Sequence, residues 1–178
     1  KSNTKRKPSA PYTTSSLQQD ASNKLGMSPD ICMKNAQKLY ETGYITYMRT
    51  DSFMIADEAL LAIGTYIKNK WGDDYYNKTI YKTKSANAQE AHEAIRPAGD
   101  TFKTPGELAT ELNRDQLALY DLIWKRTVAS QMADAKKMQA RADFDVKTND
   151  GKSCVFRANG SVVTFPGFLA AYEDVTDD

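Results

Sequence analysis

A mainly α-helical chain that closes on an antiparallel β meander, an α+β protein, is predicted by three observations. Apolar residues recur at helical spacing between about residues 15 and 132, punctuated by Ser, Asn, Pro and Gly where helices start and stop. From Lys137 the period falls to two, so that Met138, Ala140, Ala142, Phe144 and Val146 alternate with Gln139, Arg141, Asp143, Asp145 and Lys147. Turn signals at Asn149-Asp150-Gly151 and Asn159-Gly160 then separate further strands near 152–158 and 161–165.

Taken in order, residues 1–10 form a polar, basic lead-in with the character of a linker, and Lys1, Lys5, Arg6 and Lys7 supply its charge. Lys1 is no initiator Met, and the expectation is a fragment that enters mid-protein. Ser15 and Gln18 make a capping-box pattern ahead of Leu17, Ala21 and Leu25, and Gly26 stops that short helix. Ser28 as N-cap and Pro29 at the first helical position open a second helix ending before Gly43, with Ile31 or Cys32, Ala36, Leu39 and Tyr40 on its apolar face.

A third helix spans about 57–70, carrying Leu60, Ile63, Ile67 and Trp71, with Gly72 after it and Ser52 or Asp51 as candidate caps. Residues 73–88 read as a loop with one strand at 78–82. Thr104 with Glu107 opens a short helix to about Leu112, and Asn113 with Gln116 opens a long one. Leu117, Tyr120, Ile123, Trp124, Thr127, Val128 and Gln131 make its stripe. The domain division expected is a linker at 1–10, a helical unit at 11–136 and a β segment at 137–178.

With 178 residues, 40% of them hydrophobic and 26% charged, the chain can bury a real core. No apolar run approaches the roughly 20 residues of a membrane span, and the expected setting is cytoplasmic. Cys32 and Cys154 lack metal-ligand spacing and read as reduced, structural thiols. A net charge of +1 argues against a strong autonomous nucleic-acid binder, since that affinity grows from clustered Lys and Arg. Asp143 and Asp145 share a strand face, but Gln139, Arg141 and Lys147 share it too, which describes a solvated face rather than a magnesium site. No phosphate-binding glycine loop is present.

Chemistry concentrates in Tyr44-Ile45-Thr46-Tyr47-Met48-Arg49-Thr50-Asp51-Ser52. Read as a short strand, this stretch projects Tyr47 and Arg49 to one side, about 7 Å apart. A phenol of pKa ~10 is a poor nucleophile at neutral pH, and an adjacent guanidinium both favours its ionisation and neutralises a phosphate. Spacing alone is equally compatible with a half-buried strand whose Tyr packs and whose Arg is solvated.

The run ITYMRTDS, preceded by LYETGY, resembles the active-site segment of type IA DNA topoisomerases, on the bacterial topoisomerase I branch. TTSSLQQDASNKLG at 13–26 and QEAHEAIRPA at 89–98 resemble two further motifs of that family, in the family's order. The resemblance runs from about residue 10 to 172. It implies that Tyr47 forms a 5′-phosphotyrosyl link, that Arg49 binds the scissile phosphate, and that His92 sits near it with Glu93 and Arg96 holding its loop. Thr50 and Asp51 join Arg49 as the implied DNA contacts.

The same resemblance implies a catabolite-activator-like helical domain next to part of an arch domain. It also implies a magnesium-dependent parent whose Mg²⁺ binds a Toprim domain, for which no motif occurs in this chain. The implied partners are a single-stranded region of negatively supercoiled DNA and the remaining domains of the parent, with no membrane, and the fragment is expected to be monomeric and without turnover. The competing reading is a non-catalytic DNA-binding or scaffold module in which Tyr47 merely packs.

Overall fold

In the computed structural model, residues 1–82, 92–99 and 103–172 are described. They form four helices and a three-stranded antiparallel sheet: β1 (Ser2–Arg6), α1 (Thr14–Leu25), α2 (Pro29–Glu41), α3 (Asp57–Trp71), α4 (Arg114–Ser130), β2 (Ala135–Lys147) and β3 (Ser153–Phe165). Among the described residues no helix is long and apolar enough to cross a membrane.

The helices start where side chains satisfy their free N–H groups. Ser28 accepts from Ile31 with Pro29 behind it, and Asn113 exchanges hydrogen bonds with Gln116, both as expected. For α1 the cap is Thr13 rather than Ser15, paired with Ser16 in a capping box, because the hydroxyls of the Thr-Thr-Ser-Ser run are interchangeable as acceptors. Gly26, at φ 66, ends α1 in the left-handed conformation that a glycine adopts without cost. No side chain of its own N-cap, Ala56, caps α3, and Ser52 and Asp51 do not substitute. Glu93 does, accepting from the Ala56 N–H at 2.6 Å. Thr104 and Glu107 make the predicted reciprocal bonds, but residues 105–111 form successive turns instead of a helix.

One apolar core joins Leu17 and Ala21 of α1, Cys32, Ala36 and Leu39 of α2, Ile63 and Ile67 of α3, and Leu119, Tyr120, Ile123 and Val128 of α4. Of the alternatives Ile31 or Cys32 for the apolar face of α2, Cys32 is the buried one, while Tyr40, also expected there, is exposed. Residues 78–82 form no strand; the chain there is held by Thr79 and Tyr81 bonding to Gln131 and Ser130 at the end of α4.

The sheet departs from the expected meander. Residues 2–6, expected as part of a linker, are a strand antiparallel to β2, in register from Ser2 opposite Gln139 to Arg6 opposite Ala135. Asn159-Gly160 does not turn: β3 runs unbroken through it, with Asn159 opposite Arg141 and Gly160 opposite Ala140. The turn at 149–151 stands, Gly151 having φ 80. Beyond Gln139 the sheet is a two-stranded ribbon whose residues are exposed on both faces. Its feet meet the helical body at Gly167, where φ is +53 and an added Cβ would lie 2.5 Å from the carbonyl oxygens of Ala133 and Asp134.

Candidate active site

The segment 44–54 is irregular rather than a strand; Ile45 alone makes a β-bridge, to Pro97. Its conformation is fixed by two threonine hydroxyls, one on each side of Tyr47 and Arg49. Thr14, the first residue of α1, donates its hydroxyl to the Met48 carbonyl at 2.7 Å and accepts from the Thr50 N–H at 2.9 Å. Its own N–H, an orphan donor at a helix start, goes to the Thr50 carbonyl at 2.9 Å. The segment therefore caps α1 while α1 holds the segment.

Thr46 does the same against residues 92–98. Its hydroxyl donates to the Ala94 carbonyl at 2.7 Å and accepts from the Arg96 N–H at 3.0 Å, while its N–H donates to the Arg96 carbonyl at 2.9 Å. The 92–98 stretch is itself bonded to Tyr12, Tyr44 and Met54 through the backbone of Ile95, Ala98 and Ala94. Arg96, 8% exposed, is paired with Glu93 at 2.8 Å and also donates to the Pro97 carbonyl at 2.9 Å. A guanidinium this deep requires such partners, because desolvation otherwise disfavours it strongly.

These anchors decide what faces outward. Ile45 and Met48 are buried, whereas Tyr47 is 40% exposed and Arg49 is exposed. Phenol and guanidinium are each exposed, with buried Met48 between them, and the segment is not the pleated strand expected. The Tyr47 ring is flanked by Tyr40, edge-on at 5.2 Å between centroids, and by half-buried His92 at 6.2 Å. Thr50 is partly buried, its hydroxyl accepting from the Ser52 N–H at 3.0 Å, and Asp51 is exposed.

Upstream, Arg126 lies over the Tyr12 ring at 4.6 Å, donates to the Ala10 carbonyl at 2.6 Å and contacts Asp20 at 3.3 Å. Burial, reinforced by Asp20, pushes the Tyr12 phenol far above its usual range, so it serves only as a donor to Asp20, at 2.6 Å. That network fixes the chain leading into Thr14. Burial likewise pushes the Cys32 thiol up to about 11, leaving it neutral and unreactive.

Among the described residues no group of three or more His, Cys, Asp or Glu is arranged to hold a metal ion. Asp143 bonds to Arg141 at 2.7 Å and Arg157 at 2.8 Å, which hold its carboxyl below the usual range. Sequence reasoning missed Thr14 and Tyr40. A doubled Thr before a helix was the signal for the first; the second was hidden because helical period assigned it to the core.

A solvent-facing phenol thus stands two residues before an exposed guanidinium, in a segment anchored to α1 and to residues 92–98. A family profile described as DNA topoisomerase matches residues 1–178, and the chain belongs to that family, in its type IA class. It is 49% identical over 175 residues to DNA topoisomerase 1 of Mycolicibacterium smegmatis, covering 97% of this chain and 19% of that protein. It is 50% identical over 176 residues to DNA topoisomerase 1 of Streptomyces coelicolor, covering 98% of this chain and 18% of that protein. Full-length topoisomerase I from Thermotoga maritima has a similar fold, with a TM-score of 0.77 and 38% identity over 97% of this chain and 28% of that one. The chain thus spans about a fifth of the length of these curated relatives.

Proposed function

We propose that this chain carries the nucleophile, Tyr47, of a type IA topoisomerase that relaxes negatively supercoiled DNA without ATP. The observation that supports this is convergence: Thr14, Thr46–Arg49 and His92–Arg96, from three separated motifs, meet around one exposed phenol. In the proposed reaction the Tyr47 oxygen attacks a backbone phosphorus, forming a 5′-phosphotyrosyl ester. The bond to the 3′-oxygen breaks, and that oxygen leaves with the electron pair and takes up a proton. Because an aryl oxide leaves more readily than a sugar alkoxide, the 3′-hydroxyl reverses the step after strand passage.

Arg49 supplies a planar fork for two phosphate oxygens, which a lysine does not reproduce. His92 hydrogen-bonds to the same phosphate or its neighbour, and Thr50 and Asp51 flank the DNA path. The parent's Mg²⁺ belongs to a Toprim domain outside this chain, and no step assigned to these residues runs through it. Residues 11–136 are the catabolite-activator-like tyrosine domain, and 137–178 belong to an arch domain, which Ser2–Arg6 joins through the sheet. The parent acts on DNA in the bacterial cytoplasm.

In the full-length protein, Tyr47→Phe is expected to abolish the covalent DNA adduct and relaxation while leaving DNA binding largely intact. Normal relaxation by that variant refutes the assignment. A wild-type protein that traps no adduct favours the scaffold reading instead. The 178-residue chain alone, given Mg²⁺ and supercoiled plasmid, is expected to show no relaxation.

A further inference from the structure

The threonine anchors fix the backbone on either side of Tyr47, but their hold ends at its Cα. Among the described residues the Tyr47 hydroxyl has no hydrogen-bond partner, and the ring touches two others, Tyr40 and His92. An exposed phenol with nothing against it samples several staggered rotamers, and few of them present its oxygen to one phosphorus. The orientation of this side chain therefore rests on its neighbouring rings.

The nearer ring comes from α2. Tyr40 lies in the last turn of that helix, which is moored in the core by the fully buried Cys32, Ala36 and Leu39. The helix then closes on itself. Gly43, at φ 81, donates its N–H to the Tyr40 carbonyl at 2.9 Å, and the Tyr44 N–H reaches the Leu39 carbonyl at 2.8 Å. These are the paired bonds of a Schellman motif, which reverses the chain at a helix end. The reversal brings Tyr47 back beside the helix that the chain has just left, with the two rings edge-on at 5.2 Å. Rings in that geometry attract beyond the area they cover. Neither belongs to the core, so packing of the helical body does not account for the pair.

We propose that Tyr40 is a positioning residue, whose ring holds the Tyr47 phenol in the orientation from which its oxygen attacks phosphorus. The inference rests on Tyr47 being the nucleophile, as the proposed function has it. The ring of Tyr40 carries the role and its hydroxyl does not.

In the full-length protein, the rate of adduct formation on a short single-stranded oligonucleotide is measured at saturating DNA, and the Kd for that oligonucleotide is measured separately by fluorescence anisotropy. Tyr40→Ala and Tyr40→Leu are expected to lower the saturating rate about tenfold while Kd moves by less than about twofold. Tyr40→Phe, which keeps the ring, is expected to match wild type in both. Misfolded protein lowers the amount of adduct and not its rate of formation, so a folding defect is read apart from a positioning one. A wild-type rate in Tyr40→Ala overturns the proposal. A loss carried by Kd instead overturns it too, because Tyr40 is then a DNA contact, and so does an equal loss in Tyr40→Phe. Peptide mapping of the wild-type adduct separates the two ideas. DNA found on Tyr47 with Tyr40→Ala at the wild-type rate defeats the positioning role alone, whereas DNA found on another residue defeats the nucleophile assignment and the positioning role with it.

Discussion

The tyrosine segment and the β2–β3 ribbon are opposite answers to the same problem. Segment 44–54 has almost no regular structure, yet its backbone is tied to α1 and to residues 92–98, and Ile45 and Met48 sink into the core. The ribbon has a regular ladder along thirteen residues of each strand, yet most of it contacts only itself. Regular hydrogen bonding is therefore no measure of rigidity in this chain. Burial and redundant anchoring decide which region holds its shape.

The sharpest way to break that contrast is Arg96→Ala in the full-length protein. It strands Glu93 and removes a buried guanidinium, and a loss of about 3 kcal/mol is expected. Arg141→Ala, on the ribbon's exposed ion pair, is the control and should leave the thermal midpoint nearly unchanged. Equal shifts for the two variants break the comparison.

Next in size is Thr14→Val, which keeps the shape and removes the hydroxyl. A stability loss of about 1–2 kcal/mol is expected. Because Met48 and Thr50 flank Arg49, covalent adduct is expected to fall by about tenfold in excess of any unfolding, with Thr14→Ser restoring it. If Thr14→Ser behaves like Thr14→Val, the hydroxyl is not the anchor.

The smallest effect is in alkali. A thiol whose folded pKa is raised contributes stability that is complete below its unfolded pKa and is lost as pH rises through the folded one. The Cys32 thiol's ordinary value is 9.0 and burial raises it to about 11, so the loss falls between those pH values. Tyr12 and Tyr120, also raised by burial, add to it at higher pH. Denaturation measured from pH 8 to 11 should show a shallower decline for Cys32→Ala than for wild type.

Local signals were legible in the sequence; pairings between distant segments were not. Ser28-Pro29 and Asn113 with Gln116 act within one helical turn, so those helix starts are readable, as is the period of two after Lys137. Residues 2–6 carry no alternation of their own and become a strand only because β2 offers an edge about 130 residues away. Asn159-Gly160 has turn chemistry, but the ladder with Ala140 and Arg141 overrides it. At the proposed site, Tyr47, Arg49 and His92 are singled out by motif, and the fold sets the Tyr47 and His92 rings side by side. Their support is not singled out: Glu93 capping α3 from 37 positions away leaves no mark in local sequence. The expectation for residues 83–91 lies outside the described residues.

Gly167 gives the ribbon a mechanical character. Its Cα sits where any side chain would strike the carbonyls of Ala133 and Asp134, so the outgoing and returning strands are pinched together at one waist. A ladder of this length reaches about 40 Å from that waist, so a rotation of about 5° there sweeps the far end through about 3 Å. The waist thus moors the base of the ribbon to the segment that follows α4, and the distance to the far end amplifies any change of angle there.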